Sequence, residues 1–95
     1  MARVVYTANA VMNLERIAAH LREVPDVAAV AVERIRTAIE LLEHHPFVGR
    51  VVDEPIRELV ISFGRTGYLA LYRFVPQIDQ VWILALRHQR ELDYP

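Results

Sequence analysis

Apolar positions along the chain follow two rhythms, a helical one up to about residue 46 and a strand-like one after it. Residues 3–6, RVVY, predict a short strand, and Thr7 behind them is a good helix N-cap. Val11, Leu14, Ile17, Ala18 and Leu21 then recur on one helical stripe, with Glu15, Arg16, Arg22 and Glu23 on the outer face. Pro25 and Asp26 close this helix and open a second, because proline is tolerated in a first turn. The second helix, over 26–44, turns Ala28, Ala31, Val32, Ile35, Ala38, Ile39 and Leu42 inward and stops at Pro46. So short a connection predicts an antiparallel helix hairpin.

Residues 46–56, PFVGRVVDEPI, carry two prolines and a glycine and read as a strap across the surface. Beyond them come three runs rich in Val, Ile, Leu, Tyr and Phe, predicted as strands over 57–62, 67–75 and 80–87. In the middle run Leu69 and Leu71 face one way and Ala70, Tyr72 and Phe74 the other. In the last, Val81, Ile83 and Ala85 alternate with Trp82, Leu84 and Leu86. Both faces are therefore apolar, as in a strand covered on both sides. Two helices cover one face well, so the other face is a candidate partner surface. The predicted fold is α+β: an N-terminal strand and a helix hairpin packed on a mainly antiparallel sheet with three consecutive C-terminal strands. Ninety-five residues form one domain, 1–95, that buries roughly 65% of the unfolded chain's surface.

Composition narrows the function classes. The chain is 54% hydrophobic and 24% charged, which marks a folded body. It holds no cysteine, which excludes disulfides and thiolate metal sites and fits a cytoplasmic protein. No run of apolar residues reaches the length of a membrane span, so no membrane partner is expected. Eleven arginines, no lysine and twelve carboxylates leave a net charge of −1, without the basic excess of a nucleic-acid-gripping protein.

Candidate chemistry gathers near the C-terminus. Arg73 lies inside an apolar strand and needs either an ion pair, to Glu58, Asp79 or Glu91, or a target. Arg87 and Arg90 are either solvated or in contact with a partner. His88 is a hydrogen-bonded structural group or a catalytic one. Tyr94 either packs or acts, and Arg65 sits at an exposed turn in GRTG. Trp82 and Tyr68 read as core or interface anchors. His44 and His45 suit the negative end of a helix dipole, and no metal-ligand spacing or phosphate loop occurs, so no cofactor or metal is expected.

Taken together, YTANAVMNLERI, IELLEHHP, PFVGRVV, RELVI, GYLALYRF and ILALRHQRELDY resemble, in order and spacing, the RelE/ParE superfamily of bacterial type II toxin–antitoxin toxins. The resemblance spans nearly the whole chain and implies the fold already reached. It implies a toxin neutralised by a cognate antitoxin in a hetero-oligomer, with Leu14, Leu21 and Trp82 as antitoxin contacts. RelE-like members cleave mRNA on the ribosome, whereas ParE-like members poison DNA gyrase. The RelE-like branch has an arginine after the Gly-Tyr pair, where this chain has Leu69, and another in the closing segment, where it has Gln89. These departures and the absent lysines favour ParE-like action, with Arg65, Arg73, Arg87, His88 and Arg90 as target contacts. Under the RelE-like alternative, Arg73, Arg87, His88 and Tyr94 supply the cation, base and acid that metal-free RNA scission needs. A third reading is a non-toxic member that acts only in the antitoxin complex and in operon repression.

Overall fold

The computed structural model describes residues 1–95. The elements run β1 (Arg3–Tyr6), α1 (Ala8–His20), α2 (Pro25–Glu40), β2 (Arg50–Asp53), β3 (Ile56–Phe63), β4 (Thr66–Val75) and β5 (Gln80–His88). The strands form one sheet in the order β1-β5-β4-β3-β2. β1 runs parallel to β5, and every other pair is antiparallel. Thr7 caps α1, its Oγ1 accepting from the Ala10 amide, and Pro25 opens α2. This is the α+β fold that the pattern predicts.

Two boundaries differ from expectation. The second helix ends at Glu40 and tightens into a 3-10 turn over Leu41–Glu43. Within the predicted strap, RVVD pairs with β3 as an edge strand. The prolines flank the paired stretch without entering it, which an edge strand tolerates.

The helices cover one face of the sheet. Ala10, Ile17, Ala31, Ile35 and Ile39 pack there against Leu59, Ile61, Tyr68, Ala70, Tyr72, Val81, Ile83 and Leu86. The buried stripe of α1 is not quite the apolar one. Asn13 is only 4% exposed, whereas Val11 is 42% exposed.

The cause is a bulge in β5. Leu71 pairs with Ala85 and Tyr72 with Ile83, so Leu84 has no partner on β4. One extra residue inverts the alternation beyond it. Leu86 therefore joins Val81 and Ile83 in the core, and Ala85 and Arg87 turn to the helix-free face with Trp82. The expected alternation through Leu86 is thus corrected. The start of α1 pairs with β5 backbone groups around the bulge, where β1 has ended. Thr7 Oγ1 donates to the Ile83 carbonyl at 2.8 Å, Asn9 Nδ2 to the Leu84 carbonyl at 3.0 Å, and Asn13 Oδ1 accepts from the Leu86 amide at 2.9 Å.

A second polar anchor fixes the strap. The Tyr72 hydroxyl, deep in the core, donates to the Pro46 carbonyl at 2.9 Å and accepts from the Gly49 amide at 2.8 Å. A Cβ at Gly49 would lie 2.6 Å from the Tyr72 ring, so this approach requires glycine. Arg57 clamps the same strap, donating to the carbonyls of Phe47 and Gly49 and lying 5.1 Å from the Phe47 ring centroid.

Replacing Asn13 by Ala leaves the buried Leu86 amide without an acceptor, a loss of about 1–3 kcal/mol. Asn9→Ala removes a solvent-exposed bond and should cost about 0.5 kcal/mol or less. Urea unfolding midpoints of the two variants check this order.

Candidate functional site

The helix-free face is built around one buried carboxylate. Glu58 on β3 is 5% exposed and stands opposite Arg50 on β2 and Leu71 on β4. Arg50 donates to Glu58 Oε1 through both Nε and Nη2, and the Tyr94 hydroxyl donates to Oε2 at 2.5 Å. The Arg87 guanidinium lies 5.0 Å from the centroid of the Tyr94 ring, a cation–π distance. Its Nη1 donates to the Glu91 carbonyl, while its buried Nε meets no acceptor. Burial by itself would raise the Glu58 carboxyl, but the bonds from Tyr94 and Arg50 and the charges of Arg50 and Arg87 outweigh it. Its pKa lies below the usual carboxylate value. Burial and the adjacent Glu58 charge push the Tyr94 phenol far above its ordinary range, so it remains a donor.

Tyr94 reaches this face because the chain beyond β5 folds back over it. Glu91 holds the turn: its Oε1 accepts from the His88 amide at 3.1 Å and from Arg16 Nη1 at 3.0 Å. His88 faces the other way, into a groove of about 760 Å³ lined by residues that include Arg16, His20, Leu21, Tyr68 and Arg90. Its Nδ1 accepts from the Arg90 amide at 3.1 Å, which makes Nε2–H the donor to Thr66 Oγ1 at 2.7 Å. Burial and the charges of Arg90 and His20 lower its pKa, against the raising effect of Glu91. The ring is a neutral, doubly bonded strut.

Comparison with known proteins places this arrangement. The model of the ParE toxin of the type II toxin–antitoxin system, parDE, matches residues 4–93. The chain belongs to the ParE toxin family. Toxin RelE3 of Caulobacter vibrioides is 38% identical over 71 residues, which cover 75% of each protein. The chromosomal ParDE TA system from P. aeruginosa superimposes with a TM-score of 0.77 at 22% identity, over 93% of this chain and 96% of that one, which shows a shared fold. Membership makes this chain a type II toxin and implies a cognate antitoxin as its partner.

Within this ParE-family toxin the predicted site residues do not converge. Arg73 is exposed on the helix-free face, opposite Trp82, and has no carboxylate within ion-pair distance. Its three expected partners are engaged elsewhere: Glu58 by Arg50, Asp79 by the N-terminal amine and Glu91 by Arg16. Arg87 and Tyr94 share that face. His88 and Arg90 line the groove on the helix side, and Arg65 stands exposed at the tip of the β3–β4 hairpin. The set Arg73, Arg87, His88 and Tyr94 is therefore divided by the sheet, with His88 on the helix side and the other three on the opposite face.

The antitoxin set is likewise dispersed. Leu14 borders a small groove with Tyr6, Val11, Val32 and Arg36, Leu21 lies in the larger groove, and Trp82 is on the opposite face. Leu69 is 7% exposed, and Gln89 is tied through its backbone amide to the Gly67 carbonyl. In the sequence Glu58 stands out only as a possible partner for Arg73, and nothing local marks Arg50 or Asn13. Glu58 was the legible one of these, a lone carboxylate in the apolar run LVISF and its flank.

The tail contact should loosen in acid. The Glu58 pKa in the folded chain lies below its unfolded value of about 4.3. Its contribution is complete above that unfolded value and is lost as pH falls through the folded one. Hydrogen-exchange protection of residues 89–95 should therefore drop over that acidic window. In Glu58→Gln the part of the drop due to Glu58 should vanish, leaving only the part due to Glu91, whose depressed carboxyl also holds the turn.

Proposed function

We propose that this toxin arrests growth by binding and inhibiting DNA gyrase, and that its antitoxin relieves the inhibition. The observation that carries this reading is the carboxylate at the centre of the helix-free face. Metal-free RNA cleavage needs a base, an acid and free cations around one phosphate. Here Glu58 occupies the middle of that face and engages Arg50 and Tyr94, so neither that cation nor that phenol is free for a phosphate. Leu69 fills the place at which the resemblance puts an RelE-branch arginine. The only histidine of the C-terminal half, His88, faces the other side of the sheet.

A binding role suits the same face better. Arg73 and Trp82 stand side by side on neighbouring strands, one unpaired and exposed, the other half-buried. Arginine and tryptophan are the residue types that most often dominate protein–protein contacts. We assign them to the gyrase contact, with Arg87 behind them, whereas Arg65 at the hairpin tip and His88 and Arg90 in the groove would meet the target only through a second surface. The antitoxin, as a protein partner, then covers apolar surface around α1.

The name of the relative toxin RelE3 favours a second reading, ribosome-dependent mRNA cleavage by this fold. The assays separate the two. The purified chain should inhibit gyrase supercoiling of relaxed plasmid, and antitoxin should restore it. Arg73→Glu and Trp82→Ala should each weaken inhibition by at least about tenfold, the scale of an interface hot spot, with circular dichroism unchanged. Unimpaired supercoiling by folded chain, together with cut mRNA on translating ribosomes, would establish the second reading. Loss of both activities would leave antitoxin binding and operon repression.

A further inference from the structure

The two edges of the sheet differ. β1 is largely half-buried and tied at its start, where the Ala2 amide donates to the Glu43 carbonyl. β2 is exposed along its whole length, pairs only with β3, and presents Val51 and Val52 at 47% and 54% exposure. An uncovered edge with apolar side chains is a template for another strand.

The sequence of that edge is its own complement. Read antiparallel against itself, Arg50-Val51-Val52-Asp53 sets Arg50 opposite Asp53 and Val51 opposite Val52. Such pairing requires partners on the same face. In a regular strand residues three apart point to opposite faces, and the pattern would fail. β2 is irregular between Val51 and Asp53: Val51 pairs with Arg57 and Asp53 with Ile56. Arg50, opposite Glu58, and Asp53, opposite Ile56, consequently both lie on the helix-free face. Bulges usually blunt an edge, but this one aligns the charges. Arg50 uses Nε and Nη2 on Glu58, which leaves Nη1 directed to no partner within the chain.

We propose that two copies of this toxin associate edge to edge through β2, antiparallel about a two-fold axis, with Arg50 of each opposite Asp53 of the other. The two sheets continue as one, and both Glu58-centred faces lie on the same side of it. The same register sets exposed Val48 against Pro55 of the second copy, which extends the apolar strip. A four-residue contact is small, so the dimer is weak and dependent on concentration.

The chain has no cysteine, which makes cross-linking a clean test. Full chains carrying Val51→Cys and Val52→Cys are mixed and oxidised, because directly opposed residues in an antiparallel pair lie within disulfide reach. The mixture should form a mixed disulfide faster than either variant alone and faster than Val11→Cys, an exposed helix position. Sedimentation of the isolated chain should show dimer at high concentration. Asp53→Arg, which opposes like charges twice, should weaken it by at least about tenfold. A monomer at every concentration, or cross-linking no faster than Val11→Cys, overturns the proposal. Protection of β2 amides that appears only when antitoxin is added would assign the edge to the antitoxin and overturn it equally.

Discussion

The seam between the start of α1 and the bulge at Leu84 is the contact on which the remaining geometry depends. A strand that gains one residue turns every later side chain to the opposite face. Here that residue separates Leu86, which enters the core, from Arg87, which leaves it. The β5 backbone groups around the bulge, where β1 has ended, need partners beneath the helix, and Thr7, Asn9 and Asn13 bond them. The helix is thereby held over the sheet at one register. Its two asparagines look out of place beside the apolar stripe because they serve the strand beneath.

From this seam follows the division of the C-terminal residues between two surfaces. Arg87 reaches the helix-free face and meets the ring of Tyr94, and His88 reaches the groove and braces the hairpin through Thr66. The tail then crosses from one side to the other, held at Glu91 and ending on Glu58. A buried carboxylate is tolerated only when its lone pairs are met by donors and a countercharge, and Arg50 and Tyr94 supply them. The result is an ordered, neutralised patch at the centre of a face whose outer part, Arg73 and Trp82, stays open. That distribution underlies the proposed recognition of a protein surface.

The alternation and helical spacing of apolar residues specified the helix hairpin, the three C-terminal strands and the strand that opens the chain. These are properties of local periodicity and need no partner to be read. Thr7 and Pro25 marked helix starts for the same reason, since capping and first-turn tolerance act within a few residues. Even the existence of a helix-free face followed from counting two helices against a sheet apolar on both sides.

What the tertiary structure alone decided is phase. A bulge leaves no local trace in QVWILALRH, where every position from Val81 to Leu86 is apolar, so the inversion at Leu84 could not be read there. The same ambiguity hid the partnership of Glu58 with Arg50 and Tyr94, residues up to 36 positions apart that only strand pairing and the returning tail bring together. β2 was illegible because four residues between prolines carry too little pattern to distinguish an edge strand from a loop. Sequence by itself determined which segments would be helix or strand and the class of fold they build, because those choices rest on local spacing. Which side of the sheet each arginine, histidine and tyrosine faces rested on register, a relation between segments that no single segment contains.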